Sequence, residues 1–432
     1  MSIRLVYLLS YLVLFSILGY DVFLLYRYAF DIPFWDTWDL MPRGHFSHLF
    51  EFYNENMQFF YFIISEVIYK TFNWNLRYFN FVNFGVYLVI LCVYWSILVS
   101  AKPKNKINIF PLFLCPILTP MLGYNWLWVF LVQTHTFILF FLIAVYFGFV
   151  KSSTWLNIVC FALSLFCSVI SMNIPLAIGG FLAYIIKECI NSKSDGKVLC
   201  FKRCFVVCAI LCVLFFLLSF VTTPMRFIEV KMSNKIIDYE YIKHLSFYIV
   251  NSLNMFSLAK VLSQEVCFIW FAAHFAILAV VFFEQYSNKK IQPLWAIMFG
   301  ILFCVCGVVS FRGGEVYTYW MTYIRHNETA FMMLPATLMI LFLSKYKFAN
   351  IYGVVLLMLM LSGIVSDIKA QRFQFFGELF YKNGCSCLNH YWNLKTIQDW
   401  QCGMNFPIPH GTGMQIGQEK GLSFIDTIRT CM

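Results

Sequence analysis

Charge is what this chain has least of. Only 12% of its 432 residues are Asp, Glu, Lys or Arg, while 61% are apolar, against about 25% charged and 45–50% apolar in ordinary soluble domains. That balance excludes a soluble globular enzyme and assigns the chain to a bilayer. The 12 prolines and 21 glycines are scattered. There is no Gly/Ser linker, no low-complexity block and no internal repeat, so a transporter built from duplicated halves gains no support. Neither a Gly-rich phosphate loop nor an Asp-x-Asp occurs in the expected cytoplasmic loops, which argues against a nucleotide-sugar donor. The net charge of +10 comes without any RNA- or DNA-binding motif, so nucleic acid is not an expected partner.

What the sequence does have is long apolar runs. A spanning helix needs about 20 such residues, and spans are expected at 4–28, 78–100, 107–122, 135–150, 154–172, 174–187, 204–222, 264–283, 293–311, 330–344 and 349–366. The stretch 154–187 also reads as one hairpin or a broken helix. The first run lacks a small-residue cleavage site and reads as an uncleaved anchor. The expected fold class is therefore all-α. It is a polytopic transmembrane bundle of about 11 spans over 1–366, followed by a small external tail, 367–432.

Alternating from a cytoplasmic N-terminus, the inside loops collect 14 of the 31 basic residues, among them Lys102, Lys104, Lys106, Lys151, Lys187, Lys289, Lys290, Lys345 and Lys347. This is the density that short cytoplasmic loops show. Of the 21 acids only Glu188, Asp195 and Glu284 fall inside. Chemistry is expected to face outward, and the spans read as nearly free of buried charge.

The external regions are then 29–77, 223–263, 312–329 and the tail. In the first, Phe46, Leu49, Phe50 and Tyr53 recur at helical spacing, which predicts an interfacial amphipathic helix. Met57 to Asn73, with Glu66 and Lys70 four apart, reads as a second juxtamembrane helix. Twelve of the 16 cysteines lie in spans or inside loops; the other four, Cys385, Cys387, Cys402 and Cys431, share the tail. An even number in an external compartment predicts two disulfides, Cys385 and Cys387 each reaching for Cys402 or Cys431. A zinc site joining these to His390 or His410 is the competing reading, without a zinc-ribbon spacing.

Just past the first span comes Pro33-Phe34-Trp35-Asp36-Thr37-Trp38-Asp39. Carboxylates at a membrane boundary are costly unless solvated, paired or employed, and Asp36 also stands where a helix cap would serve. Asn54-Glu55 follows, and Asn125, Trp126, Trp128 and Gln133 form an aromatic and amide segment at a later outer boundary. That segment suits either a sugar ring or the interfacial aromatic belt. Arg312, Arg325 and His326 lie in the 312–329 loop. They read as phosphate ligands or as boundary cations that snorkel.

This order of features resembles the GT-C class of membrane glycosyltransferases, which use polyprenyl-phosphate sugars. In that class an anchor helix precedes an external loop with the catalytic acid, juxtamembrane helices and a multispan body. More narrowly, Pro33 to Asp39, Asn54-Glu55, and Asn125 to Trp128 with Gln133 resemble bacterial O-antigen-modifying, serotype-converting glucosyltransferases. The likeness covers the first third of the chain and, loosely, the Arg325 loop; it does not extend to the tail. Such relatives often read Asn-Glu-His-Arg where this chain has Asn54-Glu55-Asn56-Met57.

The resemblance implies transfer of a hexose, glucose by analogy, from a polyprenyl-phosphate donor to a lipid-linked O-antigen or other surface glycan. It implies the outer face of a bacterial inner membrane, with a periplasmic tail. Partners are then the donor, the acceptor glycan and membrane lipids, and no metal or other cofactor is expected. Asp36 becomes the candidate base, Asp39 or Glu55 its partner, Arg325 and Arg312 with His326 the phosphate ligands. Trp35, Trp38, Asn125, Trp126, Trp128 and Gln133 would contact sugar. A flippase or transporter, or a polymerase, of lipid-linked glycans is the rival reading.

Overall fold

The structure is a computed structural model that describes residues 3–31, 49, 52–53, 56–101, 109–122, 126–127, 129–151, 154–170, 174–195, 197–221, 239–253, 255, 258, 262–286, 288–312, 324–371, 373–375, 377–378, 419–420 and 422–423. Its α-helices, numbered in chain order, are α1 Ile3–Tyr28, α2 Phe59–Phe72, α3 Leu76–Ala101, α4 Val132–Val145, α5 Trp155–Ile170, α6 Ile174–Asp195 and α7 Lys197–Val221. They continue with α8 Tyr239–Leu253, α9 Gln264–Gln285, α10 Gln292–Arg312, α11 Ile324–Phe331, α12 Met333–Leu343 and α13 Lys347–Lys369. Among the described residues the fold is all-helical apart from a two-residue antiparallel pairing of Phe52–Tyr53 with Asn56–Met57.

Among the described residues, six helical stretches are long and apolar enough to cross a membrane: Leu5–Tyr28, Leu76–Ala101, Val132–Val150, Ile174–Asn191, Gln264–Gln285 and Lys347–Phe375. At 1.5 Å per residue a 26-residue helix such as α1 reaches about 39 Å, beyond the ~30 Å hydrocarbon core. Their outward sides stay apolar, with Phe15, Phe283 and Met358 exposed, as a lipid-facing surface requires. The chain is a membrane protein. Three further apolar helices are shorter, Trp155–Ile170, Gln292–Gly307 and Glu328–Leu343.

Two expected spans take another form, and proline is the reason in both. Over 107–122 the chain makes 3-10 turns at Phe110–Leu118 and Pro120–Leu122 in place of an α-helix. Pro111, Pro116 and Pro120 remove the N–H groups that an α-helix would use, and Phe110, Phe113, Leu114 and Ile117 are buried. Over 330–344 the helix breaks at Met332. Pro335 cannot donate to Phe331, and the Tyr94 hydroxyl enters the gap, donating to Met332 O at 2.7 Å and accepting from Ala336 N at 3.1 Å. The expected amphipathic helix in the first external region is also corrected at its end, where Phe52–Tyr53 is extended.

Close packing replaces hydrophobic burial where lipid surrounds the helices. The most extensive pair is α6 with α10. Gly179 meets Gly300 there so tightly that a Cβ on Gly179 would lie 2.7 Å from Gly300 Cα. At one end of the bundle, Lys187 donates to Gly148 O at 2.6 Å, Gln285 donates to Ile340 O at 3.1 Å, and Glu284 accepts from Ser344 Oγ and Lys345 N. These contacts gather the ends of α4, α6, α9, α12 and the start of α13, with Lys151, Lys289, Lys290, Lys345 and Lys347 around them. The opposite end holds the C-terminus of α1 and the N-termini of α3 and α4.

Candidate functional site

That opposite end is built around Asp31, two residues before Pro33. Its Oδ1 accepts from Leu76 N at 2.7 Å, satisfying an orphan donor at the start of α3. Its Oδ2 accepts from Ser423 Oγ at 2.6 Å, and Ser423 N donates to Asn73 O at 3.1 Å. Part of the tail therefore docks beside the exit of α1. Asn73 and Trp74 both hold positive φ, 51° and 57°, where α2 turns back into α3. The turn is braced by Trp74 Nε1, which donates to Ser65 Oγ at 2.9 Å.

Beneath this end lies a fully enclosed polar cluster. His135, in the first turn of α4, and Glu328, on α11, are both 0% exposed, with Nε2 and Oε2 3.1 Å apart. The other imidazole nitrogen, Nδ1, contacts Asn83 Oδ1. Asn83 Nδ2 donates to Trp126 O at 3.3 Å, which fixes the amide so that Oδ1 faces the ring. An amide oxygen only accepts, so Nδ1 carries a proton.

The cluster grows from one stripe of α3. Asn80, Asn83, Phe84 and Tyr87 recur at helical spacing and share a face. With its nitrogen toward the carbonyls, the Asn80 amide donates to Trp126 O at 3.3 Å and Leu127 O at 3.0 Å. Trp126 packs edge-on to Phe84 and Tyr87, and Tyr87 stands edge-on to His135 with centroids 5.0 Å apart. Gln133 is buried, its Oε1 accepting from Tyr61 N at 3.0 Å in the first turn of α2. Among the described residues, the buried Tyr87 hydroxyl and Trp126 Nε1 meet no hydrogen-bond partner.

Of the sequence-derived site residues, Trp126 and Gln133 are brought together here, both enclosed among α2, α3 and α4. Arg312 closes α10, and Arg325 and His326 lie in the first turn of α11; their side chains are outside the described residues. So are Trp35, Asp36, Trp38, Asp39, Glu55, Asn125 and Trp128, and the tail cysteines Cys385, Cys387, Cys402 and Cys431. Arg325 precedes Glu328 by one helical turn. Among the described residues, no group of three or more His, Cys, Asp or Glu is placed to hold a metal.

The expectation of nearly charge-free spans is corrected. Asp21 on α1, Glu66 on α2, Lys187 and Glu188 on α6, Glu328, and Asp367 on α13 are all buried. Asp21 and Asp367 interact electrostatically, and among the described residues the Asp21 carboxylate meets no hydrogen-bond partner. Asn80, Asn83 and Tyr87 were detectable in principle, as polar groups at three- and four-residue spacing on an apolar helix. Comparison with protein-family models, curated proteins and solved structures finds no match to this chain.

Proposed function

We propose that this chain is a membrane glycosyltransferase with a GT-C-like architecture. It moves a hexose from a polyprenyl-phosphate donor to a lipid-linked surface glycan at the outer face of a bacterial inner membrane. One observation carries the reading: the His135–Glu328 contact ties α11, whose first turn contains Arg325 and His326, to α3 and α4 at the end where α1 leads into Pro33–Asp39. In sequence the acidic run Pro33–Asp39 follows α1 directly, and an acidic run with a cationic helix turn suits both halves of the reaction.

In the transfer, the acceptor hydroxyl oxygen bonds to the anomeric carbon as the bond from that carbon to the phosphate oxygen breaks. Asp36 takes the hydroxyl proton, and the polyprenyl phosphate departs with the bonding electrons. Arg325 and Arg312 offer planar guanidinium forks to the charge that builds on that phosphate. A positioned base contributes about 10²–10⁴-fold. Expressing the chain in a host that lacks it and weighing the surface glycan tests the reading: one added hexose supports it, and an unchanged glycan at confirmed expression opposes it.

A second reading, transport of a lipid-linked glycan, draws support from the buried Asp21 and Asp367 on the spanning helices α1 and α13. Transporters place ionisable groups at such depths. Under that reading glycan mass stays constant and the sidedness of the lipid-linked intermediate changes.

A further inference from the structure

The tail that follows α13 meets the bundle twice at one corner. Phe373 is buried against the rings of Tyr28 and Trp126, with centroids 6.1 Å away in each case, and a Cβ on Gly377 would lie 2.7 Å from Tyr28 Cβ. More than forty residues later in sequence, at 419–423, the chain is again beside the exit of α1. There Leu422 is 1% exposed within the main apolar core. Ser423 reaches Asp31 through its hydroxyl and Asn73 O through its N–H, and the Lys420 ammonium stands over the Tyr69 ring at 5.4 Å. Holding both ends of so long a segment at one place costs closure entropy. The buried leucine side chain and the two hydrogen bonds offset it.

The docked tail acts on Asp31. That carboxylate is buried and divided between two elements: Oδ1 caps α3 at Leu76 N, and Oδ2 takes the Ser423 hydroxyl. At 2.6 Å the second contact has the length of a strong hydrogen bond to a carboxylate. Arg77, the next residue of α3, donates to Tyr26 O at 3.0 Å and ties the same helix start to the end of α1. Asp31 is therefore gripped from α3 and from the tail at the point where the chain leaves α1 for Ile32, Pro33 and the acidic run. Asp36 is five residues further on, so covalent geometry keeps its Cα within about 18 Å of that of Asp31. A shift of Asp31 moves the origin of the run, and misplacing a reacting group by about 1 Å can cost ~10²-fold in rate.

We propose that the tail is a positioning strap for the acidic run, with Asp31 and Ser423 as positioning residues and Leu422 as the anchor that seats them. The Ser423 hydroxyl holds the Asp31 carboxylate in one orientation while Oδ1 keeps the start of α3 capped, so the run departs from a fixed origin. Neither residue is assigned a proton or a phosphate; each acts through Asp36. The consequence for rate rests on the glycosyl-transfer reading, whereas the hold on the run does not.

The test compares the full wild-type chain with Ser423→Ala, Ser423→Thr and Leu422→Ala, first by hydrogen–deuterium exchange in detergent micelles, which reads local opening. Over residues 32–39, exchange should run at least 3-fold faster in both alanine variants and match wild type in Ser423→Thr, which keeps the hydroxyl. Over 292–298, at the opposite end of the bundle, it should not change. In a host whose glycan the wild-type chain extends, the initial rate of extension at matched membrane level should fall at least 5-fold in Ser423→Ala and recover to within 2-fold in Ser423→Thr. Unchanged exchange over 32–39 in both alanine variants overturns the proposal whatever the transfer result. So does faster exchange that spreads equally to 292–298, which is general loosening, or extension by Ser423→Ala within 2-fold of wild type. A wild-type chain that adds no hexose counts against the glycosyltransferase reading alone, and the exchange result still decides whether the tail holds the run.

Discussion

Removing Glu328 should loosen the end of the bundle around Asp31 more than any other single truncation in the cluster. Its carboxylate and the His135 ring are fully buried and 3.1 Å apart. Removing one partner of a buried pair costs about 3–5 kcal/mol, because the survivor stays desolvated and alone. Interhelical hydrogen bonds between neutral groups in a bilayer are far weaker, about 0.6 kcal/mol on average and at most ~1.7. The two scales separate the cases. Glu328→Ala should cost about 3–5 kcal/mol, whereas Glu328→Gln, which can still donate to His135 Nε2, should cost about 1. In mixed micelles titrated with a denaturing detergent, the Glu328→Ala and His135→Ala double variant should show a coupling of about 1–3 kcal/mol. Effects that add to within about 0.5 kcal/mol, or Glu328→Gln as damaging as Glu328→Ala, would refute the pairing.

Gly179→Ala should destabilise by about 1–3 kcal/mol through overpacking, since its Cβ would meet Gly300 Cα at 2.7 Å. Gly19→Ala, with nothing within 4 Å, should be neutral or slightly stabilising in the same unfolding titration. Arg325→Lys should lower transfer nearly as much as Arg325→Ala, because bidentate phosphate recognition needs the planar fork; near-normal transfer by the Lys variant at matched expression reduces Arg325 to a point charge. Cys385 and Cys402 should label with an impermeant thiol reagent on intact cells only after reduction. Free labelling without reductant removes the disulfides, and labelling only in opened cells reverses the topology.

The apolar runs placed most helices well, because length and hydropathy alone decide whether a segment can satisfy its backbone inside a bilayer. They failed where proline intervened. The run 107–122 is as apolar as its neighbours, yet three prolines turn it into buried 3-10 structure, and at Met332 the gap that Pro335 opens is bridged by the Tyr94 hydroxyl, more than 200 residues away in sequence. Of the site, Trp126 and Gln133 were legible as polar-aromatic punctuation. Their partners were not: the spacing of Asn80, Asn83 and Tyr87 shows a polar face but not what meets it, Glu328 stands in a polar stretch of its own, and their convergence depends on how α3, α4 and α11 pack. Asp21 and Asp367 escaped notice for the same reason, each being a lone acid near the end of an apolar run.

The central proposal is that glycosyl transfer depends on the acidic run after α1. Asp36→Asn keeps size and hydrogen bonding while removing basicity. Expressed at wild-type level in a host whose glycan the wild-type chain extends by one hexose, the variant should lower the extended fraction by at least ~10²-fold, the least that a positioned base contributes. Full extension by Asp36→Asn, and by Asp39→Asn beside it, would contradict the account.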